Sequence, residues 1–377
     1  MGVPFKIKKA VPFPNKINKH ASFMWKNTIL IWGGSNENNQ QQLYDRSVVY
    51  MYELGDWIRK QTIGDAPQGY FSGATQVIND TLFVAYLDKM CVLDLNTWTW
   101  STFFPGGIQL SSQSSGVLSW VYNGKIYLLD DWFNEAADQQ LCCYNVANNS
   151  WEWINYGGDI PNFEYGRKAL LYGDTVILLS DKTNGLYTLN MISMRWTKMY
   201  EDLPTMVVPG RVKRYTFTKI SHSAAVLLGA YKDTSGTFHT DCWLLNLDYA
   251  IQFKDPSTIW TKFPSRFVRY SHGAVWNEVS KELWVIGGFD GKNWVTDVLK
   301  MSFDLPALKI LALDCAARNI CTCDSRLGID QLPVEVRNEF VEYKSDLGVE
   351  WLTLQEDKCE KCQLRMNGKL EENEHIL

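Results

Sequence analysis

The 377-residue sequence predicts an all-β fold built from six similar units, and three observations support this prediction. Aromatic residues make up 14% of the chain, which is typical of strands rather than of a helical bundle. Tryptophans recur at intervals of 43, 53, 43 and 64 residues, at Trp57, Trp100, Trp153, Trp196 and Trp260. Short apolar runs bounded by Gly, Asn or Asp fill each interval, as expected for strands buried on both faces.

Two such runs recur along the chain. The first reads TILIWGG at 28–34, TLFVAYLD at 81–88, KIYLLDD at 125–131, TVILLSD at 175–181, AAVLLGA at 224–230 and ELWVIGG at 282–288. The second reads KMCVLDL at 89–95, QLCCYNV at 140–146, GLYTLNM at 185–191, TDCWLLNL at 240–247 and TDVLKMSF at 296–303. Six such units packed radially bury their faces, and a period of roughly 40–50 residues is typical of propeller blades. The sequence therefore favours a six-bladed β-propeller over a β-sandwich.

The N-terminal segment 1–17 has a predicted role in the last blade. The sixth unit lacks a closing tryptophan after Met301. We expect the segment from Phe5 to Phe13 to supply the missing outer strand, with Pro12 and Pro14 tolerated on that edge.

The repeated units resemble kelch repeats, in which an apolar strand ends in Gly-Gly and a Tyr and a Trp follow. Gly33-Gly34 and Gly287-Gly288 match this signature, and other residue pairs stand in its place in the four middle units. The resemblance covers residues 18–303 and implies a six-bladed kelch propeller that binds a protein or peptide.

After Asp304 the composition changes and predicts a small α-helical extension over residues 304–350. PALKILALDCAARNI at 306–320 and QLPVEVRNEFVEY at 331–343 each place apolar side chains on one helical face. Two short helices cannot form a core of their own, so they must dock on the propeller or on a partner.

The two segments resemble the SOCS-type box by which substrate receptors join elongin B/C and a cullin. The resemblance implies that the second cullin class is favoured over the fifth, because position 335 is not Pro. The implied partner-binding residues are Leu308, Leu311, Cys315, Leu332, Pro333, Val336 and Phe340. The alternative is a helical cap that closes the propeller.

Four cysteines follow the predicted helices or lie between them. Cys321 and Cys323 form one close pair, and Cys359 and Cys362 form another, in the predicted tail 351–377. Close thiolate pairs suit a structural zinc ion, and reduced thiols without metal are the other interpretation. We expect no cofactor.

Basic residues gather where the later units open, at positions that the blade pattern suggests are equivalent. Kelch proteins with a trailing box resemble receptors that capture the extreme C-terminus of a protein for ubiquitination. This resemblance implies that arginines bind the terminal carboxylate through paired hydrogen bonds, with tyrosines lining the pocket. The predicted ligand-binding residues are Arg214, Arg269, Arg167, Tyr165, Tyr215, Tyr270, Ser223 and His272.

The composition argues against several other functions. The formal net charge of -5 argues against a nucleic-acid partner, and no apolar run is long enough to span a membrane. Nine cysteines without a secretory signal predict a cytoplasmic or nuclear protein. We therefore expect a substrate-recognition subunit of a cullin-RING ubiquitin ligase that is not itself an enzyme. The alternatives are a kelch interaction scaffold and a metal-dependent propeller enzyme, for which His222 and His272 are the candidate pair.

Overall fold

The computed structural model describes residues 5–35, 45–68, 74–86, 89–108, 118–130, 140–162, 169–180, 183, 185–201, 203, 208–209, 213–232, 238–252, 256–263 and 269–303. The chain divides into two units. The first comprises Met1–Gly2 and Lys6–Ser302. The second comprises Val3–Phe5 and Phe303–Leu377 and lies almost wholly outside the described residues. The predicted partner-binding residues at 308–340 and the four tail cysteines therefore lie outside the described residues.

The described strands form six sheets, which are antiparallel except where two short strands pair in parallel with a neighbour. The chain opens with β1 (Phe5–Lys9). The first sheet contains β2 (Asn18–Trp25), β3 (Thr28–Ser35), β4 (Val48–Glu53) and β5 (Asp56–Gln61). The second contains β6 (Thr75–Ile78), β7 (Thr81–Tyr86), β8 (Lys89–Asp94) and β9 (Thr99–Phe103).

The third and fourth sheets each carry a fifth, short strand. The third joins β10 (Gly106–Gly107) to β11 (Leu118–Tyr122), β12 (Lys125–Asp130), β13 (Gln140–Asn145) and β14 (Ser150–Ile154). The fourth joins β15 (Gly157–Gly158) to β16 (Leu170–Tyr172), β17 (Thr175–Leu179), β18 (Leu186–Asn190) and β19 (Arg195–Tyr200).

The fifth sheet contains β20 (Lys213–Lys219), β21 (Ala224–Lys232), β22 (Phe238–Asn246) and β23 (Trp260–Lys262), with α1 (Leu247–Gln252) and α2 (Pro256–Ile259) inserted before β23. The sixth contains β24 (Gly273–Asn277), β25 (Glu282–Ile286) and β26 (Val298–Phe303), and β1 is its outermost strand.

The first strands of the sheets surround a common axis. β6, β11, β16, β20, β24 and β2 contact one another in that order, so the last sheet meets the first. The apolar core lies between neighbouring sheets, as where Trp32 of the first blade packs against Trp100 of the second at 5.2 Å between ring centres. The prediction of an all-β, six-bladed propeller is confirmed.

The N-terminal strand is shorter than predicted. β1 ends at Lys9, and Pro12 and Pro14 lie in the connection to β2, because proline has no N–H to donate to a neighbouring strand. The connection still follows β26: the N–H of Ala10 donates to the Val298 carbonyl, and that of Phe13 donates to the Thr296 carbonyl, each at 2.8 Å.

The tryptophan that closes the third blade is Trp151 and not Trp153. Trp151 pairs with Tyr144 and is 3% exposed, whereas Trp153 is 38% exposed. Leu93 with Trp100 and Leu189 with Trp196 are the corresponding pairs in the second and fourth blades. Residues two apart share one face of a strand, so their spacing alone did not show which one reaches the core.

The connections between blades explain why glycines occupy the two short strands. Gly107 lies beside the carbonyl oxygen of Trp151, and Gly158 lies beside that of Trp196. A Cβ atom on either glycine would lie 2.1 Å from that oxygen, and both residues have a positive φ. Only glycine permits this close approach, by which each connection extends the outer edge of the following blade.

Candidate functional site

The candidate site lies where the inner strands begin, at what we call the upper face; they end at the lower face. Three equivalent residues occupy the upper face of blades one, five and six: His20, Tyr215 and His272. On the second strand of each blade, Trp32 pairs with the residue after His20, Leu228 with the residue after Tyr215 and Ile286 with the residue after His272. All three are buried.

These side chains extend to the preceding blade. His272 Nε2 lies 2.8 Å from Thr216 Oγ1, and Tyr215 donates its hydroxyl hydrogen to the carbonyl oxygen of Leu179 at 2.7 Å. His20 lies against Gly273, where an added Cβ atom would come within 2.3 Å of His20 Nε2. Tyr215 and His272, which the sequence predicted as ligand-binding residues, therefore also join neighbouring blades.

At the lower face, side chains extend in the opposite direction, to the following blade. Trp25 Nε1 donates to Asp80 Oδ1 at 2.8 Å, and the Tyr122 hydroxyl donates to Asp174 Oδ1 at 2.9 Å. The Tyr172 hydroxyl donates to Asp248 on α1, and this hydrogen bond raises the pKa of Tyr172 to about 12.

Arg269 is a buried arginine at the upper face of the sixth blade, with 5% of its surface exposed. Its Nη2 atom lies 3.2 Å from Asp297 Oδ2, and Lys9 Nζ on β1 lies 3.4 Å from the same oxygen. Burial lowers the pKa of Arg269, while the negative charges of Asp297 and Asp290 act in the opposite direction. The guanidinium is thus already engaged within its own blade by Asp297.

Three aromatic rings lie next to Arg269 in sequence or on the loop between β25 and β26. The ring centres of Tyr270 and Phe289 are 5.0 Å apart, those of Phe289 and Trp294 are 5.5 Å apart, and those of Tyr270 and Trp294 are 6.0 Å apart. We call these residues the aromatic cluster. Each is half-buried, so the rings present apolar surface at the upper face.

Arg46 is a second buried arginine, in the connection between β3 and β4. Its carbonyl oxygen accepts a hydrogen bond from Trp32 Nε1 at 2.8 Å, and its guanidinium fills the space that a side chain at Gly33 would occupy. The sequence analysis did not single out Arg46 or His20. The Gly-Gly doublet was the available signal, because Gly33 faces both residues.

The predicted alignment of the later blades is wrong by two residues. Thr216 pairs with Leu228 and Gly273 pairs with Ile286, at the same place in each blade. Arg214 precedes Thr216 by two residues, whereas Arg269 precedes Gly273 by four. Tyr215 and Tyr270 are displaced in the same way. A register shift between Lys213 and Thr216 adds to the difference.

The structure does not bring all the predicted ligand-binding residues together. Ser223 and His222 lie in the turn between β20 and β21, at the lower face, where the Ser223 carbonyl accepts a hydrogen bond from the Leu247 N–H. Both are therefore separated from His272 by the length of the inner strand. Arg167 and Tyr165 lie outside the described residues.

No cluster of three or more His, Cys, Asp or Glu side chains suited to a metal ion occurs in the described ranges. Within the same ranges, no helix has the length and apolarity needed to cross a bilayer.

Comparison with known proteins agrees with this architecture. Residues 19–215, more than half of the chain, match the KLHDC2/KLHL20/DRC7 Kelch-repeats domain. Acyl-CoA-binding domain-containing protein 4 of Arabidopsis thaliana is 20% identical over 292 residues, and the match covers 71% of this chain and 42% of that protein. The chain thus spans less than half the length of that relative.

A solved structure shows the same fold. The structure of YjhT superimposes with a TM-score of 0.53 at 14% sequence identity, covering 78% of this chain and 97% of that one. The kelch prediction from the Gly-Gly and Trp pattern is confirmed, and the predicted ligase-recruiting box stays a prediction. The chain belongs to the kelch-repeat family, with a kelch domain of the KLHDC2/KLHL20/DRC7 type.

Proposed function

We propose that this protein is the substrate-recognition subunit of a cullin-RING ubiquitin ligase. A kelch propeller supports a protein-interaction or substrate-binding role, and the match to the KLHDC2/KLHL20/DRC7 kelch domain is the observation that carries the proposal. In this function the propeller binds a peptide segment of the substrate, and the segment 306–343 recruits elongin B/C and a cullin of the second class. Partner enzymes, in the cytoplasm or nucleus, supply the transfer chemistry.

A peptide C-terminus is the ligand that we propose for the upper face. Arg214 and Arg167 are the proposed carboxylate-binding residues, since a guanidinium donates two parallel hydrogen bonds to a carboxylate. Buried tyrosine, threonine and histidine groups at the upper face of blades five and six support such a site, because they exclude water around a polar ligand. Arg269 is not one of the proposed carboxylate-binding residues, because its guanidinium already forms an ion pair with Asp297.

The ligase function is tested by co-purification of the full chain with elongin B/C and the cullin at micromolar concentration. The double variant Leu311→Arg, Leu332→Arg places charges on the predicted contact faces of both helices. The matched control is Leu54→Arg, because Leu54 is fully exposed in the turn between β4 and β5. We expect the wild type and Leu54→Arg to retain the partners and the double variant to lose them.

A kelch interaction scaffold without a ligase role is the alternative function. It predicts that neither the wild type nor the variants retain elongin B/C or the cullin, while peptide binding by the propeller persists. That result would contradict the ligase proposal and leave the kelch-family assignment unchanged.

A further inference from the structure

The loop between β25 and β26 is a hairpin at the upper face of the sixth blade, and several hydrogen bonds join its residues. We call residues 287–297 the blade-6 hairpin. The N–H of Phe289 donates to the Tyr270 carbonyl at 3.0 Å, and that of Val295 donates to the Gly288 carbonyl at 2.9 Å. At the tip, Asp290 Oδ1 accepts the N–H groups of Lys292 and Asn293 at 2.8 and 2.7 Å. Such a loop presents its side chains at little cost in conformational entropy.

The ion pair between Arg269 and Asp297 joins this hairpin to the segment that leads into β24. Asp297 is the last residue of the hairpin, and its carbonyl oxygen accepts the N–H of Gly287 at 3.0 Å. Its carboxylate is bound to Arg269, whose side chain is 6% exposed. Asp297 is partly exposed, but the Arg269 side chain is buried, so removing Asp297 would leave the Arg269 charge desolvated without its ion-pair partner. Arg269 is therefore placed to hold the hairpin.

Most charges around the aromatic cluster are balanced by one another. Asp297 is paired with Arg269 and Lys9, and Asp290 caps the hairpin tip. The Asp290 carboxylate also lies close enough to Arg269 to affect its pKa. Lys292 adds an exposed positive charge at the hairpin tip, while Asp297 and Arg269 are held in an ion pair and three half-buried rings offer apolar surface. This arrangement favours a large uncharged side chain, because rings and aliphatic groups gain by leaving water.

We propose that the aromatic cluster of Tyr270, Phe289 and Trp294 binds a large apolar side chain of the peptide substrate, and that Arg269 is a positioning residue which holds the hairpin through Asp297. The proposal rests on the proposed peptide-binding function and deepens it. It assigns different roles to the arginines, because Arg214 and Arg167 are left to bind the carboxylate.

The positioning role is tested by exchanging the two charges in the full chain. We expect Arg269→Asp and Asp297→Arg, each alone, to raise amide hydrogen exchange of residues 287–297 at least about ten-fold. We expect the double variant, combined with Lys9→Glu, to restore part of the protection, because the ion pair is re-formed with its direction reversed and the charge of Lys9 beside position 297 is reversed with it. Exchange of Glu278 and Lys281 in the same blade, an exposed pair at the lower face, is the matched control and should leave the hairpin unchanged.

The apolar subsite is tested with a randomised nonapeptide library, offered with free and with amidated C-termini. We expect the wild type to select peptides with an aromatic or large aliphatic residue, and Trp294→Ala to lose that selection with about a ten-fold weaker affinity. Trp153→Ala removes a partly exposed tryptophan elsewhere on the molecule and should bind as the wild type does. Among the arginine variants, Arg214→Ala and Arg167→Ala should each bind free and amidated peptides equally, whereas Arg269→Lys should still prefer the free C-terminus.

Four results would overturn the proposal. Equal binding of free and amidated peptides by Arg269→Lys, with the hairpin still protected, would make Arg269 a carboxylate ligand. Failure of the charge exchange to restore protection would remove its positioning role. Self-association in sedimentation experiments that Trp294→Ala abolishes would assign the rings to a second copy of the chain. A library screen that selects no peptide would remove the subsite, while elongin retention would still report on the ligase function.

Discussion

At the scale of single residues, the structure depends on a few places where a side chain from one blade enters space left by the next. Gly273 shows this most directly, since His20 occupies the volume that any side chain at 273 would need. The sequence analysis identified His272 as a site residue and did not single out Gly273 beside it. The role of a glycine depends on which side chain packs against it, and the sequence alone does not show this.

Gly273→Ala is predicted to destabilise the protein by about 1–3 kcal/mol, because overpacking forces neighbouring groups to shift. Gly106→Ala is the control, since a Cβ there meets nothing within 4 Å. Urea unfolding of both variants measures the difference in the free energy of unfolding. Equal midpoints for Gly273→Ala and Gly106→Ala would show that His20 moves aside without cost.

The buried thiols give a prediction about pH. Burial raises the pKa of Cys143 to about 11. The folded state therefore favours the neutral thiol, and this contribution to stability is present below the ordinary thiol pKa and is lost as the pH rises towards 11. At pH 9 we expect Cys143 to resist alkylation in the folded protein and to react in denaturant, as followed by mass spectrometry. Rapid labelling of the folded protein would contradict the burial of this thiol.

At the scale of elements, the sequence predicted the strands that carry long apolar runs and missed those that depend on contacts. The six first runs and the five second runs that were predicted became paired strands, because four or more apolar residues between turn signals suffice to indicate them. β10 and β15 contain only two residues each and exist because the connection reaches the next blade. Part of the long interval before Trp260 is explained by α1 and α2, which replace a short turn.

The two glycines of β15 allow a sharp test of this connection. Gly158→Ala is predicted to cost about 2 kcal/mol or more, because its positive φ and its distance from the Trp196 carbonyl both disfavour a side chain. Gly157→Ala, one residue earlier, meets nothing within 4 Å and should change stability by less than about 1 kcal/mol. Thermal unfolding of the pair decides the matter, and similar melting temperatures would mean that the fifth strand contributes little.

At the scale of the whole molecule, the sequence predicted the number and type of the blades. It did not predict which of the candidate ligand-binding residues lie close together. Blade period is set by local patterns, whereas the meeting of Arg269 with Asp297 depends on strand register over 28 residues of sequence separation. A displacement of two residues between blades five and six was enough to separate Arg214 from the position of Arg269.

Closure of the ring between the last and first blades gives a prediction for the molecule as a whole. Phe13 is buried against Tyr50 and Trp57, with ring centres 4.8 and 5.2 Å away. Phe13→Ala should cost about 3–5 kcal/mol and lower the midpoint of the whole cooperative transition. Phe104→Ala removes an exposed ring and should be nearly neutral. A separate early transition in Phe13→Ala would show that the blades unfold independently.

The side-chain pairs between blades have a consequence for how such a repetitive chain could be rearranged. Each pair has one member on each of two blades. At the lower face an aromatic donor to an aspartate recurs, as in Trp25 with Asp80, but at the upper face the partners differ, from His272 with Thr216 to Tyr215 with the Leu179 carbonyl. The blades share a backbone pattern and are nevertheless not interchangeable. Exchanging two of them within the chain would bury donors opposite the wrong groups. The contacts between blades therefore favour one order of the blades, the order in which the donors on each blade lie opposite their acceptors on the next.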